Sequence, residues 1–312
     1  MTNKAQLHMS LGGEPHPAKT LICCRNLTIA MPTPAGPSKR QGYFKLFRVG
    51  NCVMGALGAL LAAIICARGR DVSDFAVDIG LSMIVVALFT AAGNALNDYF
   101  DREVDKVAHP ERPIPSGVVR PKAARDIAWV LFGVALVLGI FISIWSFTIV
   151  SASLIIIVGY EWFLKAEGLV GNLAISWLTG ALFLFGGAAV GKLELAWILA
   201  ALAMLATLGR EIVKDVQDME GDRGSRRTLP LRIGKGRAGA VGSAAFIGAV
   251  ALSPLPKLLN LLSIWYVPAV IAADGIFIYC ALIHFRNPER GQTIAKYGML
   301  VALLAFLLGG VF

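Results

Sequence analysis

The sequence predicts an all-α fold, a polytopic bundle of nine transmembrane helices with cytoplasmic cap loops. Three observations carry this. The 312 residues are 56% hydrophobic and 16% charged, with mean hydropathy +0.68. A compact soluble surface needs nearer a quarter of its residues charged. The charges also cluster, so that long uncharged stretches alternate with charged loops.

Residues 1–42 differ from the rest. They are rich in Pro and Gly, as in MPTPAGPSKRQG at 31–42, and read as a disordered tail preceding a membrane domain over 43–312. The one apolar run there is broken by Arg25 and Asn26, which makes a poor signal peptide. Met31 offers an alternative start of translation.

Spans are expected near 44–67, 75–97, 123–142, 145–164, 169–190, 193–213, 237–255, 260–284 and 294–311. A ~30 Å hydrocarbon core needs ~20 helical residues. The uncharged run 127–160 would reach roughly 51 Å as one helix. It is therefore divided near Ser143–Ser146. Glycines within the spans suit close helix packing in lipid.

Loop charge sets the orientation. The loops following the even-numbered spans hold 18 of the 29 Lys and Arg residues, whereas those after odd-numbered spans hold only Arg68, Arg70, Lys192 and Lys257. The amino terminus and the even-side loops are expected in the cytoplasm of a multi-pass cell-membrane protein, and Phe312 outside. The same topology accounts for the net charge of +9, so no nucleic-acid partner is expected. The five cysteines form no CxxC pair and the four histidines are scattered, which argues against a zinc site or a disulfide framework. No obligate protein partner is evident.

The informative feature is a repeated acidic motif. NALNDYFDREVD (94–105) closes the second span and EIVKDVQDMEGD (211–222) closes the sixth. Asp98, Asp101 and Asp105 recur 117 residues later as Asp215, Asp218 and Asp222, a sign of internal duplication. Positions i, i+3 and i+7 share one helical face. Each motif thus presents a column of three carboxylates, with Asn94 and Glu211 one turn further on and Asn97 beside Asp98. Such a column needs cations to offset repulsion and desolvation. Hard oxygen ligands of this kind suit Mg²⁺, which keeps several coordination positions for water and phosphate. Two columns on one side of the membrane point to a cradle for a diphosphate. The EF-hand loop pattern is absent, which disfavours calcium buffering. A transporter would place its acids nearer the bilayer midplane.

On these motifs the sequence resembles the UbiA-type family of intramembrane prenyltransferases over about 44–312. The family's NDxxDxxxD and DxxDxxxD patterns stand here from Asn97 to Asp105 and from Asp215 to Asp222. The resemblance implies a bundle with a lateral opening to lipid and Mg²⁺-dependent transfer of a prenyl group from its diphosphate. Tyr160 and Lys165, in YEWFLK, resemble the family's YxxxK with one extra residue. The loops HPERPIPSG (109–117) and RRTLPLRIG (226–234) resemble its caps over the site, where Arg112, Arg226 and Arg227 are candidate phosphate partners. Arg48-Val-Gly-Asn51 together with GREIVKDVQDMEGD resembles the branch that joins a second geranylgeranyl chain to geranylgeranylglyceryl phosphate in archaeal ether-lipid synthesis. The alternative acceptor is an aromatic quinone or chlorin precursor.

The resemblance therefore implies that Asp98, Asp101, Asp105, Asp215, Asp218 and Asp222 hold the metal and are catalytic. Arg48, Asn51, Asn94, Asn97, Arg112, Tyr160, Lys165 and Lys214 are the expected substrate-binding residues. The partners are a prenyl diphosphate, a lipid-like phosphate acceptor and membrane lipid. No histidine stands where a general base is needed; a motif carboxylate and the departing diphosphate remain alternatives. Asp274, alone within the eighth span, is expected to hydrogen-bond between helices or to face substrate.

Overall fold

A computed structural model describes residues 38–312 apart from residue 225. The expected disorder of residues 1–37 and the alternative start at Met31 fall outside the described residues. Helix α1 (Lys39–Phe47) begins at a capping box, in which Ser38 Oγ accepts from the Gln41 N–H and the Gln41 side chain accepts from the Ser38 N–H. Residues 39–42, read from sequence as tail, thus belong to this helix.

Helices α2 (Val49–Cys66), α3 (Ala76–Phe100), α4 (Arg102–Ala108), α5 (Pro121–Ile142) and α6 (Ile144–Trp162) make up the first half of the bundle. They are followed by α7 (Gly168–Ala189), α8 (Leu193–Asp218), α9 (Leu229–Ile233), α10 (Lys235–Leu252), α11 (Leu255–Leu258), α12 (Tyr266–Ile283) and α13 (Pro288–Val311). Among the described residues nine helical segments are long and apolar enough to cross a membrane. Each matches an expected span. The division of 127–160 falls at Ser143, whose extended backbone (φ −168°, ψ 162°) ends α5 and whose side chain caps α6 by accepting from the Ser146 N–H.

Several boundaries differ from the sequence reading: the sixth span runs on to Asp218, the ninth begins six residues early at Pro288, and two others mark turns. The first span is interrupted at Arg48, which adopts a left-handed backbone (φ 47°, ψ 60°) and separates α1 from α2. Periodicity alone gives no sign of that turn. The eighth span starts six residues late, at Tyr266, because Asn260 is also left-handed (φ 55°).

The helices pack as antiparallel neighbours, α7 on α8, α3 on α5, α12 on α13 and α10 on α8, with α2 against α3 and α7. Small residues set the approach. A Cβ on Gly187 would lie 2.3 Å from that of Ala196, so α7 and α8 meet this closely only with glycine there. Asp274 ties helices together: its Oδ2 accepts from Ser253 Oγ at 2.7 Å, linking α12 to the end of α10.

Candidate active site

The first acidic column keeps its register across the junction of α3 and α4. The Asp101 N–H bonds to the Asn97 carbonyl at 2.9 Å and the Asp105 N–H to the Asp101 carbonyl at 2.8 Å. Helical spacing therefore places Asp98, Asp101 and Asp105 on one face. Each has a cation from elsewhere in the chain. Arg48 Nη2 donates to Asp98 Oδ1 at 2.6 Å, and Arg112 Nη1 lies 3.8 Å from the same oxygen. Arg112 also donates to Asp105 Oδ2 at 2.6 Å. Lys165 Nζ donates to Asp101 Oδ2 at 2.6 Å. Asp98 and Asp105 are almost completely buried, where an unpaired carboxylate would be costly. The structure thus brings Arg48, Arg112 and Lys165, candidates from three separate loops, onto one column.

The asparagines position this cluster. Asn94 Nδ2 donates to the Phe47 carbonyl at 2.9 Å, fixing α3 against the turn at Arg48. Asn97 Oδ1 accepts from Arg48 at 3.4 Å, while its Nδ2 donates to both Glu161 oxygens at 3.0 Å. Glu161 is a residue the sequence reading missed. It is buried and lies 3.5 Å from Lys165 Nζ, one turn on in the chain. The available signal was a carboxylate beside Tyr160 and four residues before Lys165.

The second column is more open. Asp215 Oδ2 accepts from Asn172 Nδ2 at 2.8 Å; Asn172, a lone amide in an uncharged span, was also missed. Helical spacing carries past the end of α8 through the Asp222 N–H, which bonds to the Asp218 carbonyl at 3.0 Å. Asp218 is exposed, and Asp222 lies 3.8 Å from Arg226 Nε. Lys214 is exposed and stands 3.9 Å from Glu211, which Arg210 also pairs. Arg227 is turned away: it is exposed and faces Glu167 at 3.8 Å.

Tyr160 relates the two columns. It lies in the fields of Asp101 from the first motif, of Glu211 beside the second and of Arg226 from the cap loop. Its ring would be 3.7 Å from a Cβ on Gly171, the neighbour of Asn172. The cap over this region is held by backbone, with the Arg227 N–H bonding to the Ala166 carbonyl at 2.9 Å. Gly168 permits it, since it has φ +43° and a Cβ there would sit 2.7 Å from the Arg227 carbonyl.

Beneath the first column lies a cavity of about 470 Å³ between α2, α3, α6 and α7, of the size that small-molecule sites occupy. Its mouth is polar, lined by Arg48, Asn51, Asn94, Asn97, Tyr160 and Glu161. Its depth is apolar, lined by Val85, Phe89, Ile149, Leu178, Leu182 and Phe185. Glu161 is the one carboxylate on its wall among the described residues.

The donor chemistry fits a hard divalent cation. Among the described residues no three His, Cys, Asp or Glu side chains converge as a ready ligand cage. The first column instead offers buried carboxylates whose charge is balanced by Arg and Lys. That suits an ion which takes one or two protein carboxylates and completes its shell with water and phosphate oxygens. The same cations suit the phosphate oxygens themselves.

Comparison with known proteins gives a consistent picture. The model of the UbiA prenyltransferase family matches residues 56–307. A digeranylgeranylglyceryl phosphate synthase of Methanosarcina mazei is 39% identical over 282 residues, spanning 86% of this chain and 97% of that protein. A solved structure of a digeranylgeranylglyceryl phosphate synthase superposes with TM-score 0.81 at 33% identity, covering 88% of this chain and 99% of its own. A UbiA homologue from Archaeoglobus fulgidus, solved with GPP and Mg²⁺, shares the fold at TM-score 0.64 and 17% identity, covering 86% and 98%.

Proposed function

This chain belongs to the UbiA prenyltransferase family, and from that premise we propose that it is a digeranylgeranylglyceryl phosphate synthase. It moves a geranylgeranyl group from geranylgeranyl diphosphate to the free hydroxyl of geranylgeranylglyceryl phosphate, forming an ether in membrane-lipid synthesis. The observation that supports this most is the single site in which an acid column, three separately placed cations and an isoprenoid-sized apolar cavity adjoin.

Asp98, Asp101 and Asp105, with Asp215, Asp218 and Asp222, hold divalent cations, for which Mg²⁺ is the assignment. Bound there, such ions supply positive charge against the negative charge that builds on the departing diphosphate. Arg48, at the cavity's polar rim, and Arg112 and Lys165, on the acid column beside it, bind phosphate oxygens directly, since each carries N–H donors there. Asn94 and Asn97 fix the geometry of that rim, and Asn51 contacts the acceptor. Lys214 and Arg226 serve the second column from its exposed side.

The allylic C–O bond breaks with its electron pair leaving on diphosphate, and the resulting positive charge is delocalised over the allyl group. The apolar walls from Phe89 to Phe185 hold the chain and exclude water, which would otherwise capture that carbon. The glycerol oxygen forms the new C–O bond and gives up its proton. Glu161 receives it, being the carboxylate at the boundary between polar mouth and apolar wall.

The amino terminus and both acid columns face the cytoplasm in this reading, and Phe312 faces outside, as the loop charges require. The test is an assay of purified protein with geranylgeranyl diphosphate, Mg²⁺ and a panel of acceptors, followed by lipid extraction and mass spectrometry. Digeranylgeranylglyceryl phosphate as the main product is expected. Efficient prenylation of an aromatic acceptor in preference to the glycerophosphate would overturn the assignment.

A further inference from the structure

A second apolar cavity, of about 350 Å³, lies beside the first between α7, α8, α10, α12 and α13, with α2 at its edge. Its walls include Leu202, Val270, Phe277 and Phe306. It reaches the surface of the bundle between α2 and α13. Away from the acid columns these two helices touch, since a Cβ on Gly310 would lie 2.8 Å from Ile65 Cα. Nearer the columns they part. Met54 stands eleven residues before Ile65, about three turns along the same face of α2, and is 69% exposed. Leu300 of α13 lines the cavity and is nonetheless 63% exposed.

Two charged side chains line this cavity, Asp274 and Lys296. Asp274 is engaged by Ser253. Lys296 is exposed and has no hydrogen-bond or ion-pair partner among the described residues. It is the only charged residue from Gly291 to Phe312. Helical spacing puts it on one face of α13 with Gln292, Met299, Leu303 and Gly310, the face that meets α2 at Ile65. The contacts with α12 lie on another face, where Cβ atoms on Gly298 and Gly309 would approach Ile276 and Tyr266 to 3.0 and 2.8 Å. A bare ammonium facing lipid is costly, and its stem extends toward the headgroups. Tyr297 beside it, also exposed, suits that interfacial level. One turn nearer the columns, the Gln292 amide oxygen is buried without a partner among the described residues. The lip of the cleft thus offers a cation and an unpaired amide above an apolar chamber. Its complement is a lipid with an anionic headgroup and a hydrocarbon chain.

We infer that Lys296 captures the phosphate of the acceptor lipid at this side entrance, with the acceptor's own isoprenoid chain in the second cavity. The inference rests on the reading above, in which the acceptor is a phosphorylated glycerol lipid and the first cavity takes the donor chain. The two chains then lie side by side, with Leu182 as a shared wall. The glycerol enters past α2, where Asn51 lines the polar mouth of the first cavity. Lys296 lines the second cavity and not the first. It is therefore a positioning residue: its loss weakens acceptor capture and spares the bond-making step.

The experiment uses the full-length protein in phosphatidylcholine nanodiscs, saturated with geranylgeranyl diphosphate and Mg²⁺. It compares geranylgeranylglyceryl phosphate with the phosphate-free alcohol geranylgeranylglycerol as acceptors. Lys296→Gln is expected to raise KM for the phosphorylated acceptor by about tenfold and to leave kcat within about twofold. Lys296→Arg should keep KM near the wild-type value, and KM for the alcohol should not respond to either change. Arg290→Gln removes an exposed cation six residues earlier, off that face of α13. It should leave both acceptors unaffected, which separates a phosphate contact from general surface charge. Equilibrium binding of the two lipids in the absence of donor reads the same preference without turnover. Phosphate-selective binding that depends on Lys296, with no transfer to this acceptor, would contradict the proposed acceptor and leave the capture site standing. An unchanged KM and unchanged binding in Lys296→Gln, an equal loss for the alcohol, or an equal effect of Arg290→Gln would overturn the inference.

Discussion

Arg48 reaches Asp98 with a 2.6 Å ion pair from a backbone held in the left-handed region, φ 47° and ψ 60°. The same residue ends α1, starts α2 and neutralises the most buried carboxylate of the first motif. A left-handed conformation costs a non-glycine residue of order 1 kcal/mol or more. The strain is retained where it aims a guanidinium into the site.

That relationship separates function from stability. Arg48→Gly relieves the backbone strain but deletes the cation beside Asp98. The expected result is a folded protein whose turnover falls by about 10- to 100-fold, from the loss of charge-assisted contacts. Thermal melting and steady-state kinetics on the same preparation check both halves.

Glu161 gives a second prediction. A proton acceptor is needed for transfer to the hydroxyl but not for breaking the allylic C–O bond. Glu161→Gln should therefore lower transfer by at least about 100-fold while donor ionisation continues, seen as scrambling of ¹⁸O between bridging and non-bridging positions of the diphosphate. Equal loss of both would assign Glu161 a role only in holding Asn97.

Asn172 orients Asp215 through a 2.8 Å hydrogen bond. Asn172→Ala should leave Asp215 without that partner, weakening Mg²⁺ binding as well as turnover. A raised Mg²⁺ requirement, measured by titrating the ion in the transfer assay, is the expected signature. Asn172→Asp, which puts a second carboxylate beside the first, should be worse than alanine.

A pH prediction follows from His284, at the end of α12. The ring is buried, its Nε2 shares a 2.7 Å hydrogen bond with Ser243 Oγ, and its Nδ1 is buried without a partner. Burial lowers its pKa below the usual 6.5. The unfolded chain then takes up this proton more readily than the folded one. The contribution to stability is complete above the unfolded value and declines as pH falls below about 6.5. Melting temperature in detergent should drop between pH 8 and pH 5.5, and His284→Gln should flatten that profile.

Much of this was legible in the sequence because the bilayer imposes length and polarity on every span. The division at Ser143 followed from the reach of a helix, and the acid columns from a spacing that recurs 117 residues apart. Arg112 and Lys165 were named from motif position and do meet the column. What was hidden depends on tertiary approach. The turn at Arg48 breaks a run whose composition is uniformly helical, because Asp98 and Asn94 of α3 hold the Arg48 side chain and the Phe47 carbonyl. Glu161 offered only its spacing from Lys165, and Asn172 no spacing signal at all; the packing of α6 on α3 and of α7 on α8 reveals their further partners. Arg227 looked equivalent to Arg226, yet it pairs with Glu167 on the outer side of the cap.

The most direct test of one shared diphosphate site is the coupling between the columns. Asp98→Ala and Asp215→Ala should each lower Mg²⁺-dependent geranylgeranyl transfer by at least about 100-fold. Because both serve the same leaving group, the double variant should be scarcely worse than either single one. Losses that multiply in the double variant, or near-normal turnover in either single one, would contradict a common site.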